Sequence, residues 1–520
     1  MVRSARSPAT GHHEATPPHE PGSTAGDREP RARVWALVLV CSATLMLVLD
    51  VTIVNVALPS IQTSLRASLT GLEWVVDAYA LALASLLLIS GSLADRYGRR
   101  RLFRIGLGIF TLGSLACSVA PSTALLVFSR AVQGVGGAAL FATALAILGQ
   151  EFQGDSRARA LGAWGAAVAL GLAVGPLAGG LLTDLVSWRA IFFVNVPLGL
   201  IAFVLAGIYL RESSDPEGTP LDWPGALTFA LTALLLTFGL VEGNMRGWAS
   251  PPILGSFAAA CVLGALFVRI EASRPGLFDL SLFRVRRFDA ATLGVIGQGL
   301  VIGPLLFYLV RYLQEVLDAS PLRAGLEVVP MTITCLAAAL LAGRLTRRIP
   351  YRFVLAGSLG LLGCGALLML LARETSSWAV LVPGLLIGGA GWGAVNPVAA
   401  EGALSSVPPQ RSGMASGINN TGRQIGIAVG LGALGAVFQH RLQSVLTAEV
   451  ARRHLPVPPS VARLAARGGL QSAAVAVPPS ARAGFVAAGR VASTAALHGV
   501  LLVGGIGAVL IGLVIAGLRD

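Results

Sequence analysis

Apolar residues in this chain come in long runs, separated by short polar stretches in which arginine, glycine and proline recur. A helix needs about 20 apolar residues to cross the hydrocarbon of a bilayer. By that measure the pattern predicts fourteen spanning helices, at residues 34–58, 71–93, 102–120, 122–149, 158–183, 189–210, 223–241, 252–270, 289–316, 322–343, 351–371, 378–400, 412–439 and 492–517. Residues 1–33 hold Pro, Gly, His and Arg without an apolar stretch, and are expected to form a disordered cytoplasmic tail. Gly91-Ser-Leu-Ala-Asp-Arg-Tyr-Gly-Arg-Arg100 follows the second run, and Gly343-Arg-Leu-Thr-Arg-Arg-Ile-Pro-Tyr-Arg352 follows the tenth, sharing Gly, Leu and two Arg positions. The repeat divides the chain into a six-helix half at 34–210, two linker helices within 211–288, and a second half at 289–520 with an extracellular loop at 440–491.

Composition turns this pattern into a class. Of 520 residues, 54% are apolar and 12% charged, about half the charge of a soluble domain. Mean hydropathy is +0.74. A soluble enzyme, a disordered chain and a disulfide scaffold are excluded; an all-helical, polytopic membrane protein remains. The five cysteines all fall in apolar runs with no CxxC spacing, and the six histidines show no metal-ligand spacing.

The net charge of +13 comes entirely from arginine, since the chain has no lysine. A Walker A loop and a pyridoxal Schiff base both need lysine and are therefore excluded. Twenty-four of the 39 arginines fall in the tail and the alternate loops assigned to the cytoplasm. Five (Arg66, Arg189, Arg246, Arg323 and Arg373) fall in the opposite loops ahead of residue 411, seven in the 440–491 loop, which runs against the positive-inside rule at a length where the rule weakens, and three within spans. Positive-inside topology then puts both termini in the cytoplasm, and explains the basic balance without nucleic acid.

Charged residues inside the runs are the candidates for chemistry. A carboxylate within a membrane span is costly and marks function, so Asp50 is expected to load and release a proton; the alternative is a structural partner for Arg130. Asp77, one span later, is a second proton carrier or a cation-binding group. In the 91–100 loop, Gly91 permits close helix approach and Gly98 a tight turn. Asp95 stands there among Arg96, Arg99 and Arg100, a charge network suited to latching neighbouring helices; a plain basic loop is the other reading. Arg347 occupies the position corresponding to Asp95 in the second half, so only the first latch retains its acid. Gly171, Gly175 and Gly179 recur at i, i+4 and i+8 as a smooth groove for another helix, and Pro176 invites a kink. In the thirteenth run Asn419, Asn420, Arg423 and Gln424 either line a cavity or fix the helix against a neighbour. Trp392 and Asn396 have the same two readings, and Arg311 is expected to snorkel.

These motifs resemble those of a known family. The 91–100 loop is similar to the loop signature of the major facilitator superfamily. Leu49–Pro59 resembles the first-span motif of its fourteen-span drug:proton antiporter branch, Arg130–Ala138 the fourth-span motif, and Gly171–Gly180 the fifth-span antiporter motif. The likeness covers spans one to fourteen and omits 1–33. It implies two six-helix halves plus two inserted helices, Arg130 as a proton-relay arginine, and a fifth-span gate at the interface of the halves. The residues expected to line the substrate cavity are Asn55, Gln133, Trp392, Asn396, Asn420 and Gln424.

The expectation is proton-coupled export of amphipathic, cationic or neutral drugs or antibiotics across the bacterial cytoplasmic membrane, by rocking of the halves. Its partners are the compound, protons and the bilayer, with no cofactor, metal, nucleotide or nucleic acid. Proton-coupled import of a nutrient or siderophore is the alternative, and the fifth-span motif counts against it. A membrane enzyme or an ATP-driven permease subunit is a third reading, for which no nucleophile–base constellation appears.

Overall fold

The apolar runs become helices in the computed structural model, which describes residues 28–67, 69–214, 223–273, 284–408, 411–458 and 477–518, together with Leu282, Val461 and Ala474. The first half contains α1 (Arg28–Leu65), α2 (Leu69–Tyr97), α3 (Arg99–Ser118), α4 (Thr123–Glu151), α5 (Gly154–Leu185) and α6 (Ala190–Tyr209, interrupted at Val194). Next come α7 (Trp223–Arg246) and α8 (Pro251–Ser273). The second half contains α9 (Arg286–Glu315), α10 (Pro321–Arg348), α11 (Tyr351–Leu368), α12 (Val382–Ser405), α13 (Ser412–Arg452) and α14 (Pro479–Gly517). Twelve of these are long and apolar enough to cross a membrane by themselves, and α2 and α5 qualify as bent helices, which makes fourteen. The bend in α5 is 45° and falls between Leu172 and Leu177, where Pro176 removes a backbone hydrogen bond.

The internal repeat is written into the packing. In the first half α2 and α3 pack on α4, α1 on α5 and on α4, and α3 on α6. Eight helices later α10 and α11 pack on α12, α9 on α13 and on α12, and α11 on α14. The halves meet through α5 against α10 and α12, and through α13 against α2 and α4. The α7–α8 hairpin covers α2 and α13 on one flank. Between helices in lipid, close packing replaces the hydrophobic drive, and glycine supplies it here. A Cβ on Gly91 would run into the Gly413 carbonyl, and one on Gly162 would lie 2.7 Å from the Ala339 carbonyl.

Two expectations need correction. The tail expected to reach residue 33 gives way to helix at Arg28, with Pro30 inside the first turn, where a missing N–H costs nothing; residues 1–27 lie outside the described set. Half of the loop expected at 440–491 is helix: α13 runs on to Arg452 and α14 starts at Pro479. Hydropathy falls there although the helices do not end. At 41 and 39 residues they are about 60 Å long, twice the hydrocarbon thickness. Leu442, Leu446, Val461, Val477, Ala481 and Phe485 continue the apolar core of the second half into this hairpin.

Candidate functional site

Asp50 and Arg130 meet in the middle of the first half. An Arg130 Nη1–H donates to Asp50 Oδ2 at 2.5 Å and to Gln133 Oε1 at 2.8 Å, and Nε–H donates to the Val75 carbonyl at 3.1 Å. Asp50 Oδ1 accepts from the amides of Gln133 (3.3 Å) and Asn195 (3.1 Å). Gln133 also donates to Ser114 Oγ at 2.6 Å. The Tyr79 ring lies 4.3 Å from the guanidinium. Asp50 is 0% and Arg130 1% exposed, so the charges neutralise each other out of contact with solvent. Five helices contribute, and small residues let them close in: a Cβ on Gly134 would lie 2.5 Å from the Tyr79 carbonyl, and one on Gly113 2.8 Å from the Gln133 side chain.

The glycine stripe of α5 seats the helix that carries Asp50. Cβ atoms on Gly171 and Gly179 would lie 2.9 Å from Val48 and from the Ile53 carbonyl, and one on Gly175 would overlap Thr52. Thr52 Oγ donates to the Gly171 carbonyl at 3.3 Å. The stripe therefore faces α1 of its own half rather than the interface of the halves; Gly162 and Gly165, nearer the start of α5, face the other half instead.

At the end of the bundle where α1 begins, Asp95 bridges the halves. It accepts Arg99 Nε–H (3.2 Å) and Nη2–H (2.8 Å), and the backbone N–H groups of Gly413 and Met414, both at 2.9 Å. Those amides open α13, so a carboxylate from one half caps a helix of the other, the favourable sign for a helix N-terminus. A Cβ on Gly413 would collide with that carboxylate. Gly98 turns the chain with φ +106°, and Glu212 takes its far side by accepting the N–H groups of Arg100 and Arg101 at 3.1 Å. Arg99 also reaches Gln150 Oε1 at 3.1 Å, and Arg96 lies over the Tyr97 ring at 5.9 Å.

The second half closes the same end with charge reversed. Arg347, in the position corresponding to Asp95, donates to Asp155 at 2.5 Å, and Asp155 stands in the first turn of α5. Arg157 holds Glu401 through two hydrogen bonds of 2.7 and 2.6 Å, joining α5 to α12. The acid missing from the second loop is thus supplied by the opposite half.

The remaining candidates separate. Gln133, expected to line a cavity, is 0% exposed and belongs to the Asp50 network, because both its amide atoms are taken there. Trp392 and Asn396 are buried in α12, and the Gln298 amide donates to the Trp392 carbonyl at 3.3 Å. Asn420 donates to the Phe141 carbonyl across the halves at 3.2 Å and accepts from Arg423 at 2.7 Å. Asp77 and Gln424 are half-buried. Arg311 does not simply snorkel; it lies 3.0 Å from Glu315, one turn on. The side chains of Asn55 and Pro176 lie outside the described set. Asn195, Asp155, Arg157 and Glu401 were not anticipated. Asn195 is a lone amide inside the sixth apolar run, too common a feature of membrane helices to mark it by itself.

Residues 40–431 match the family model of the Major Facilitator Superfamily. Multidrug resistance protein Stp of Mycobacterium tuberculosis (strain CDC 1551 / Oshkosh) is 36% identical over 425 residues, 81% of this chain and 79% of that protein. Methylenomycin A resistance protein of Streptomyces coelicolor is 34% identical over 418 residues, 80% of this chain and 87% of that protein. The solved structure of the human organic anion transporter MFSD10 (TETRAN) superposes with a TM-score of 0.57 at 16% identity, covering 92% of this chain and 99% of that one; it speaks for the fold alone. With the fold, the repeat and these relatives in agreement, the chain belongs to the major facilitator superfamily and is a multi-pass membrane transporter.

Proposed function

We propose that the protein exports small, amphipathic, drug-like compounds across the bacterial cytoplasmic membrane in exchange for protons. The two six-helix halves, 34–210 and 289–520, rock about a central path with 211–288 as an inserted pair. The observation that carries the reading is the fully buried Asp50–Arg130 pair at the junction of α1, α2, α3, α4 and α6. An ion pair withdrawn from lipid and water is retained where its charge state matters. Protonating Asp50 releases Arg130 from its counter-charge and leaves it the Gln133 and Val75 oxygens and the Tyr79 ring. That change loosens α1 from α4 and couples the proton to helix movement, with Asp77 as the auxiliary acid. The relatives named for drug and antibiotic resistance support the outward direction and the substrate size. Collapse of the proton gradient with ATP maintained is expected to end export of a fluorescent drug from expressing cells. Continued export would defeat the antiport reading.

The arginine bias makes the Asp95 end cytoplasmic. The Asp95 cap and the Arg157–Glu401 pair then hold the state closed to the cytoplasm, and the exposed Arg347–Asp155 pair adds little. Arg157→Glu or Glu401→Arg alone is expected to lower transport about tenfold, since a charge-assisted bidentate pair is worth roughly 1.5–3 kcal/mol; the double exchange restores most of it. Arg347→Ala is expected to change transport less than about twofold, because both partners of that pair are largely exposed. Transport rates in reconstituted vesicles check both, and a double exchange no better than the singles would deny the Arg157–Glu401 pair its role.

With that orientation the α13–α14 hairpin lies outside the cell. With the five native cysteines replaced by serine or alanine, Pro458→Cys is expected to react with a membrane-impermeant maleimide added to intact cells. Labelling only in everted vesicles would invert the orientation.

A further inference from the structure

Arg423 is a second charge at mid-membrane depth, and it is built differently from Arg130. Ser416, Asn420 and Arg423 form one stripe of α13. On one side of it Gly422 and Gly426 press on α9, and on the other Gly413 and Gly417 lie against Gly91 of α2. The stripe therefore looks between those contacts at α4 and α5 of the opposite half. There the guanidinium lies 5.3 Å from the Phe141 ring and 5.8 Å from the Trp164 ring. Each of the three residues sits ten or eleven positions from the cytoplasmic end of its helix, about 15 Å in and near the middle of the hydrocarbon.

Nothing among the described residues neutralises this charge. Its polar partner is the neutral Asn420 Oδ1, at 2.7 Å, and no described carboxylate acts on it. A guanidinium stays protonated at any physiological pH. Ring faces attract it, but they do not replace a counter-ion for a charge withdrawn from water. As a residue Arg423 is half-buried, whereas Arg130 is sealed, and it lies where α13 meets α4 of the other half.

The geometry points to Arg423 as the anion-binding group of the transport path, with Phe141 and Trp164 as the aromatic walls beside it. The substrates that fit are acidic aromatic compounds, bearing a carboxylate or an acidic phenol, instead of the cationic or neutral ones that sequence alone suggests. A planar carboxylate meets the guanidinium fork with two hydrogen bonds, and an aromatic body can stack on Phe141 and Trp164, both buried in this state, once the halves part. The assignment rests on the export reading and narrows it to a substrate class.

The test uses the purified full-length protein with fluorescein as acidic aromatic probe and ethidium as cationic probe. Fluorescein is expected to bind saturably, at least tenfold more weakly to Arg423→Gln, and with intermediate strength to Arg423→Lys. Ethidium binding is expected to change less than threefold in either variant. On the unmodified protein, which needs no variant to fold, 2-naphthoate should displace fluorescein at least tenfold better than neutral 2-naphthamide. Equal displacement, unchanged fluorescein binding in Arg423→Gln, or complete blockage by chloride alone would overturn the assignment. Proton-driven uptake into everted vesicles separates the two claims. Ethidium transport without fluorescein binding removes only the acid-binding role of Arg423, whereas transport of neither probe removes the export reading as well.

Discussion

Export against a gradient is expected to fall at least about 100-fold in Asp50→Asn, while the protein stays folded and inserted. The amide keeps the size of the side chain and can still accept from Asn195, but it neither titrates nor balances Arg130. Breaking one side of a buried ion pair costs about 3–5 kcal/mol, and each 1.4 kcal/mol is a factor of ten, which sets the size of the loss. Insertion survives because fourteen apolar helices, not this carboxylate, hold the chain in the bilayer. Asp50→Glu keeps the charge on a longer stem in a site with no free surface, so reduced export at a displaced pH optimum is expected. Downhill flux of substrate can persist in Asp50→Asn, because an empty proton site does not block the path. Vesicle uptake across a pH series checks all three. If Asp50→Asn, at normal abundance, still concentrates substrate while protons flow the other way, the carrier is another acid, and Asp77 is the first to examine.

Asp95→Asn is expected to lower transport about tenfold with insertion unchanged. The carboxylate takes two hydrogen bonds from Arg99 and two from the first amides of α13. An amide in its place loses the charge and turns its own donors toward those N–H groups. Losing charge-assisted hydrogen bonds at this scale costs roughly 1.5–3 kcal/mol, enough to move a two-state equilibrium by one or two powers of ten. Asp95→Glu should not rescue, since the Gly413 backbone leaves no room for another methylene. Spin labels on the end of α2 and the start of α13 should report a longer mean distance in the variant. An unchanged distance with normal transport would return the 91–100 loop to a simple topology signal.

What could be read from sequence followed the strength of each signal. Asp50 and Arg130 stood out because charge inside an apolar run has no cheap explanation. Their companions Ser114 and Asn195 did not, because hydroxyls and single amides are common in membrane helices. The partner of Asp95 was invisible for a different reason: it is a pair of backbone amides, which every residue except proline carries. Arg347 looked like a lost latch because its acid lies 192 residues away in chain, at Asp155. The fourteen spans were legible because each needs its own apolar stretch. The outer extensions of α13 and α14 were not, because a helix leaving the bilayer becomes polar without ending.

The unbroken length of α13 has a mechanical consequence. One helix carries the amides gripped by Asp95 at its first turn, Arg423 about a quarter of the way along, and the outer hairpin at its far end. A rod of roughly 60 Å pivoting near its centre moves each tip by about 5 Å for a tilt of about 10°. On the proposed orientation, release of the Asp95 grip would be transmitted as a lever stroke to the hairpin at the opposite end of the helix. A fluorophore pair on the hairpin, far from the substrate path, would follow the transport cycle in intact cells from outside.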